Sequence, residues 1–320
     1  MSDSQIDPDQ FTRAGSITQK YYRDVYPTID PSRPELSQKD KVTIVTGAGK
    51  GIGRAIARAH AQAGVKGLVL VTQSAQSGEE TKAVLKAEFP SVEVLSLPTD
   101  ITDEKAIAQT FETVKNHFGT AHTLINNAGV FASTAPIAQS DSSTWWKDFE
   151  VNVRGTYLVT AAYLRLIANE SADFQPTVVN FISTISLTPP GLSSYFISKL
   201  AVAKFTEFVT AENPQVATYS LSPGIVHTSM TLDAFVPFAK DTGMFTSMIP
   251  GNFEDLRLTL TNFPWSGIAE LPGAVTVYLA AKRPQYLNGR HLSCNWDLGE
   301  LEAQETELSS SEKLKLGQFI

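Results

Sequence analysis

Tyr195 and Lys199 stand four residues apart in Ser194-Tyr195-Phe196-Ile197-Ser198-Lys199-Leu200, a stretch that reads as helix. That spacing puts both side chains on one face, one turn apart. A free phenol titrates near about 10 and is a poor base at neutral pH. An ammonium beside it favours the phenolate and lowers that value. The pair can therefore pass a proton to or from an oxygen, the step that interconverts a carbonyl and an alcohol. The spacing alone also describes many solvated helices, so the rest of the chain must decide.

Glycines supply a second chemical signature. Val42-Thr43-Ile44-Val45-Thr46 is a β-branched run of the kind buried on both faces of a sheet, and it leads into Gly47-Ala48-Gly49-Lys50-Gly51-Ile52-Gly53. Ile52, Ala55, Ile56, Ala59 and Ala63 then recur at helical spacing. Glycines allow a tight turn and let a pyrophosphate approach the backbone. The helix N-terminus adds unpaired N–H groups and the positive end of its dipole. A glycine-rich turn between the first strand and first helix favours nucleotide binding over an ordinary β–α turn.

The elements that must position these residues alternate along the chain. After an apolar run at 68–71, the patterning predicts helix over 78–89, strand over 92–97 and helix over 103–118. A short strand, 123–125, ends at Asn126-Asn127-Ala128-Gly129, and a long helix is predicted over 143–169. Strand 178–182, the Tyr195 helix to 212, strand 218–221, helix 274–281 and an edge strand at 290–292 complete the series. Such alternation predicts an α/β fold, a single doubly wound parallel sheet with helices on both faces. The first 40 residues are interrupted by Pro8, Pro27, Pro31 and Pro34, yet Tyr21, Tyr22, Tyr26 and Ile29 are too apolar for a free tail. They read as an arm packed on its own domain rather than on a partner subunit. The expected organisation is an arm over 1–40, a dinucleotide-binding and catalytic domain over 41–293, and a tail over 294–320.

Of 320 residues, 42% are hydrophobic and 18% charged, the balance of a soluble globular protein. A net charge of −7 without a Lys/Arg cluster argues against a nucleic-acid-binding surface. The single cysteine, Cys294, excludes an internal disulfide framework and fits a reducing compartment. Met1-Ser2-Asp3-Ser4-Gln5 lacks the apolar core of a secretory signal, and no apolar run reaches the ~20 residues of a membrane-spanning helix. A soluble cytoplasmic protein is expected.

Thr46 to Gly53 differs from the common Gly-x-Gly-x-x-Gly fingerprint. It resembles the Thr-Gly-x-x-x-Gly-x-Gly of the short-chain dehydrogenase/reductase family, and the resemblance runs from about Lys41 to Leu292. Asp100 in Pro98-Thr99-Asp100-Ile101 stands where that family has an acid near the adenine ring. Asn126-Asn127-Ala128-Gly129 matches its motif after the fourth strand, which steadies the sheet and lines the cofactor site. Asn152 in Val151-Asn152-Val153-Arg154-Gly155 matches the helical asparagine of its catalytic tetrad, and Tyr195 and Lys199 match its Tyr-x-x-x-Lys. Pro223-Gly224 matches the turn that passes the nicotinamide, which brings Val226 and Thr228 near the carboxamide. Ser183 aligns best with the tetrad serine; Thr184 and Ser186 are the alternatives, and a shortened Pro189-Pro190-Gly191 loop accounts for the one-residue difference in spacing. The arm, Asn288-Gly289-Arg290 and Asn295-Trp296-Asp297 resemble fungal members in particular. Two departures stand out: His122 occupies a position where an acid commonly precedes the fourth strand, and no acid ends the second strand.

The resemblance implies a Rossmann-type fold and a nicotinamide-dependent carbonyl/alcohol oxidoreductase. Ser183 and Tyr195 are expected to bond the substrate carbonyl, with Tyr195 as proton donor. Lys199 is expected to lower the tyrosine pKa and hold the nicotinamide ribose, while Asn152 positions a water that relays protons. The cofactor set is Gly47, Gly49, Lys50, Gly51, Ile52, Gly53, Thr72, Asp100, Ile101, Asn127, Ala128, Gly129, Tyr195, Lys199, Pro223, Gly224, Val226 and Thr228; no metal is expected. Leu70-Val71-Thr72-Gln73-Ser74 offers no carboxylate for a ribose 2′-OH, and Lys50 offers a cation to a 2′-phosphate, which favours NADP(H) over NAD(H). The insertion 228–266 carries Met230, Leu232, Phe235, Phe238, Met244, Phe245, Met248, Phe253, Phe263 and Trp265, a lid suited to a bulky apolar substrate. His227 reads as a loop histidine. Trp145 and Trp146 fall in a helix that family members use for subunit contacts, which implies a homo-oligomer, dimer or tetramer. The expected function is NADP(H)-dependent reduction of a ketone or aldehyde. The alternatives are an alcohol dehydrogenase working in the oxidative direction, a non-redox isomerase or cyclase, and a cofactor-sensing binder.

Overall fold

Seven strands pair in parallel in the order β3-β2-β1-β4-β5-β6-β7. They are β1 (Val42–Thr46), β2 (Gly67–Thr72), β3 (Glu93–Pro98), β4 (Thr123–Asn126), β5 (Thr177–Phe181), β6 (Ala217–Ser222) and β7 (His291–Ser293). The computed structural model describes residues 16–183, 188–226, 228, 230 and 268–316. Val45 pairs with Leu70 on one side and with Ile125 on the other, so β1 lies between β2 and β4. The strand order reverses there, which opens a crevice beyond the carboxyl ends of β1 and β4.

Alternation along β1 divides the core. Val45 faces one layer with Ile56, Leu85 and Leu271, whereas Val42 and Ile44 face the other with Ile107, Phe111 and Tyr163. The first layer holds α1 (Gly51–Gln62), α2 (Ala75–Glu88) and α7 (Glu270–Lys282). The second holds α3 (Glu104–Phe118), α5 (Thr156–Leu166) and, against Ile182, α6 (Ser193–Glu212). The helix α4 (Ser142–Asp148) leads toward α5, and α8 (Leu298–Ala303) and α9 (Glu305–Ser309) follow β7.

Local chemistry explains the starts of three helices. Ser74 accepts from the Ser77 N–H, Asp103 from Lys105 and Ala106, and Asp141 from Thr144. The Ser74 cap is why α2 begins before the predicted residue 78. The predicted long helix 143–169 is helical without a break from Ser142 to Leu166, but not all of it is α-helix. A π-helical turn, Phe149–Gly155, separates α4 from α5, and α5 ends at Leu166. At its end Gly155 meets Ile101 so closely that a Cβ would stand 2.7 Å from Ile101 Cδ1.

The arm joins the first core layer through buried Tyr26, Ile29 and Leu36. The Tyr26 hydroxyl donates to the Trp296 carbonyl at 3.2 Å and accepts from the Leu298 N–H at 3.0 Å. Tyr22 stacks on Tyr26 at 3.8 Å, so arm and tail brace each other. The expectations for Thr184, Ser186, His227, Leu232, Phe235, Phe238, Met244, Phe245, Met248, Phe253, Phe263 and Trp265 lie outside the described residues. Among the described residues no helix is long and apolar enough to cross a membrane, and no group of three or more His, Cys, Asp or Glu could hold a metal.

Candidate active site

At the carboxyl end of β1 the glycine turn is fitted to the turn after β4. Gly47 has φ +68°, and a Cβ there would stand 2.9 Å from Ala128 Cα; at Gly53 it would stand 2.2 Å from the Gly47 carbonyl oxygen. Asn127 Nδ2 donates to the Thr46 carbonyl at 2.9 Å. The Thr46 hydroxyl oxygen accepts the Asn127 and Ala128 N–H groups, each at 3.0 Å. Gly51 has φ +53°, and a Cβ there would lie 3.2 Å from Thr228 Cγ2, so Thr228 stands against the glycine turn. Lys50, at the N-cap of α1, is exposed and makes no side-chain cap bond. The opening N–H groups of α1 are thus left without the side-chain cap that α2, α3 and α4 possess, the arrangement that receives an anion.

Other cofactor candidates occupy the same edge. Thr72 closes β2 with its hydroxyl donated to the Ser74 carbonyl at 2.9 Å. Asp100 is exposed, and its Oδ1 accepts the Thr102 N–H at 2.9 Å and the Thr102 hydroxyl at 2.8 Å, bonds that hold its carboxyl below the ordinary value. Gly224 has φ +76°, and a Cβ there would lie 2.4 Å from Asn295 Oδ1. Asn295 Nδ2 in turn donates to the Tyr22 carbonyl at 2.7 Å, which seats arm and tail against the Pro223-Gly224 turn. Val226 is buried.

Asn152, Ser183, Tyr195 and Lys199 converge beside this edge. Asn152 is fully buried in the π-helical turn. Its Oδ1 accepts the Val130 N–H at 2.8 Å, and its Nδ2 donates at 3.0 Å both to the Val130 carbonyl and to Ser198 Oγ. A Cβ on Gly129 would lie 3.0 Å from Asn152 Oδ1 and 3.2 Å from Lys199 Nζ, so both polar ends border one glycine. Lys199 Nζ donates to the Phe181 carbonyl at 3.0 Å and sits 5.9 Å from the Tyr195 ring centre. Behind them a buried polar chain links α5 to α6 across β4 and β5. Asn126 Nδ2 donates to Thr160 Oγ1 and Asn180 Oδ1, each at 2.8 Å, and Asn180 Nδ2 donates to Thr206 Oγ1 at 2.9 Å.

Burial pushes the Tyr195 hydroxyl up to about 12, its hydrogen bond with Ser183 draws it back, and Asp148 raises it. The expected lowering by Lys199 is not among these causes: desolvation is the largest, and the hydroxyl stands above its ordinary value. Burial lowers Lys199 to about 8, with Asp148 acting to raise it.

Several positions escaped the sequence reading. Arg54 donates Nη2 to the Gly49 carbonyl at 2.7 Å and Nε to Thr81 Oγ1 at 2.9 Å, while Thr81 donates to the same carbonyl at 3.0 Å. Arg54 thus holds the glycine turn from behind, although its sequence context is that of a solvated helix. His122 proves structural: Nδ1 accepts the Val42 N–H at 3.2 Å, the ring packs on Phe174, and burial lowers its pKa. Trp145 is half-buried and donates Nε1 to Ser193 Oγ at 3.0 Å, whereas Trp146 is 58% exposed. Asp148, unremarkable in sequence, is fully buried and acts on Tyr195 and Lys199.

Known proteins are similar to this chain in sequence and fold. The family profile described as short chain dehydrogenase matches residues 41–235. The short chain dehydrogenase mpl6 of Monascus purpureus is 35% identical over 303 residues, covering 93% of this chain and 94% of its own. The short chain dehydrogenase pigC of Monascus ruber is 30% identical over 308 residues, covering 94% and 93%. Among solved structures, NAD+-bound xylitol dehydrogenase superposes with a TM-score of 0.71 at 23% identity, over 81% of this chain and 99% of its own. The KRED1-Pglu enzyme does so with a TM-score of 0.66 at 26% identity, over 79% and 100%. The glycine turn, the parallel sheet and the profile match together establish that this chain belongs to the short-chain dehydrogenase/reductase family and is an oxidoreductase of that kind.

Proposed function

We propose that this protein is an NADP(H)-dependent reductase that converts a carbonyl of a fairly bulky apolar small molecule to an alcohol, with Tyr195 as proton donor. One observation carries the reading: Tyr195, hydrogen-bonded to Ser183, stands with Lys199 and Asn152 beside the glycine turn at the carboxyl edge of the sheet. A phenol in that place can give its proton to a carbonyl oxygen as hydride arrives at the carbon, which is what carbonyl reduction requires.

The residues present fit a nicotinamide dinucleotide. The uncapped start of α1 and the closely approached glycines suit a pyrophosphate, and Gly129 leaves open a space beside Lys199 that a Cβ would fill. No carboxylate ends β2, and Lys50 is exposed beside the turn, which favours a 2′-phosphate over a free 2′-OH. When bound, the cofactor supplies the hydride. The chain's own residues do the rest. Ser183 and Tyr195 donate hydrogen bonds to the substrate carbonyl oxygen, Tyr195 releases its proton as negative charge develops there, and Lys199 stabilises the phenolate left behind. Asn152, with its side chain committed to Val130 and Ser198, holds the loop beside Lys199 and keeps that proton route in place.

Further parts of the reading rest on the same frame. Residues 41–293 are read as the catalytic domain, with 1–40 as arm and 294–320 as tail. Exposed Ile197, Leu200 and Phe208 at i, i+3 and i+11 of α6 support a homo-oligomer, and the lone buried Cys294 supports a cytoplasmic setting. The test is incubation with a panel of bulky ketones and either NADPH or NADH, followed by nicotinamide absorbance and product analysis. The reading expects alcohol formed in equal amount to NADPH consumed, and slower turnover with NADH. Product without cofactor consumption would identify an isomerase or cyclase, and cofactor binding with no product from any ketone would identify a sensor.

A further inference from the structure

Asp148 closes α4 four residues before Asn152 and is fully buried, where an ionised carboxylate is costly unless partnered. Its Oδ1 accepts the Ala132 N–H at 2.8 Å. Its Oδ2 is buried and has no hydrogen-bond partner among the described residues. Burial raises this carboxyl above its ordinary value, while the Ala132 N–H, the neighbouring Ser194 hydroxyl and the Lys199 charge draw it partly back.

The geometry around it converges on Tyr195. Asn152 holds the Val130 N–H and carbonyl, and Asp148 holds the Ala132 N–H, so two side chains one turn apart grip three backbone groups of one short segment. Between those grips lies Phe131, whose ring meets the Tyr195 ring edge-on at 5.0 Å. From the other side, Trp145 of α4 donates to Ser193 Oγ and accepts the Ser194 hydroxyl on its carbonyl, which fixes the first two residues of α6, immediately before Tyr195. The charge of Asp148 raises both Tyr195 and Lys199.

We infer that Asp148 is a positioning residue: through the 130–132 segment it seats Phe131 against Tyr195, and its buried carboxyl group acts on the Tyr195–Lys199 pair. This rests on Tyr195 being the proton donor. The titratable groups that face Asp148 are Tyr195 and Lys199 from α6. The segment 129–133 contributes none, Lys147 on the same helix acts on Asp100, and Glu150 pairs with Arg154 at 2.7 Å.

Asp148→Asn retains size and an oxygen for the Ala132 N–H while removing the charge. The direct readout is the Lys199 titration midpoint by NMR of lysine-labelled protein, assigned with Lys199→Met, which needs no turnover. The companion readout is the pH profile of ketone reduction. The inference expects the Lys199 midpoint to fall by about 0.5–1 pH unit and the basic limb of the rate profile to move the same way. Asp148→Ser, read identically, is the second variant should the asparagine protein not fold. Unmoved midpoints in a folded variant, with only a lower Tm, would overturn the inference and leave Asp148 a structural residue. A moved Lys199 midpoint with full turnover in Tyr195→Phe would overturn the catalytic reading of Tyr195 itself, and the two failures are therefore distinct.

Discussion

The two halves of the sheet's carboxyl edge are built from opposite materials. Around β1 and α1 the surface is backbone, shaped by glycines too closely packed to bear a Cβ and held by Thr46, Asn127 and Arg54. Around β4, β5 and α6 it is buried polar side chain: Asn126, Asn180, Asn152, Asp148 and Lys199. The first half presents N–H groups and space to an anion, and it depends on shape. The second tunes protons, and it depends on charge in a desolvated setting. The first should therefore fail on added atoms at any pH, and the second on altered charge in a pH-dependent way.

The largest contrast comes from Lys199→Met. Burial lowers Lys199 from 10.5 to about 8, so holding that charge destabilises the folded state below pH 8. Between about 8 and 10.5 the unfolded chain binds the extra proton, and the stability of the native protein rises with pH through that window. Replacement by Met should therefore abolish most turnover yet raise stability near pH 7 by up to about 3 kcal/mol, since each pH unit between the two midpoints is worth roughly 1.4 kcal/mol. Denaturant melts across pH should show the gain shrinking as the pH rises through that window; a gain independent of pH would break the contrast. Gly53→Ala comes next. Its Cβ would press on the Gly47 carbonyl oxygen at 2.2 Å, an overpacking strain of about 1–3 kcal/mol that should weaken cofactor binding by about 10- to 100-fold. Calorimetric titration at two pH values should give the same loss, and a pH-dependent loss would place shape and charge in one half. Smallest is Thr46→Val, which leaves the Asn127 and Ala128 N–H groups without their acceptor. It should cost about 1–3 kcal/mol in thermal or denaturant melts, with little change in the pH profile of turnover.

The glycine half was legible because its determinants are consecutive. Thr46 to Gly53 is one strand-turn-helix unit, and each residue reports its own backbone need. Tyr195 and Lys199 were legible for the same reason, as a helical pair. Asp148 was not, because nothing within α4 distinguishes a buried aspartate from a solvated one; its burial is decided by Ala132 and α6, which are distant in sequence. The π-helical turn 149–155 hid likewise, since Asn152 takes its partners from Val130 and Ser198 rather than from its own helix. The balance that sets the Tyr195 proton is hard to read from sequence for a related reason. A sequence shows a lysine four residues away, but desolvation depends on everything packed around the ring.

The central claim is that Tyr195 gives its proton to a substrate carbonyl, and single-turnover reduction of a bulky ketone by Tyr195→Phe tests it most directly. Nicotinamide absorbance would be followed alongside equilibrium cofactor binding. The account predicts a rate lower by about 10²- to 10⁴-fold while cofactor affinity changes by no more than a few-fold. Undiminished turnover by the phenylalanine variant would contradict it.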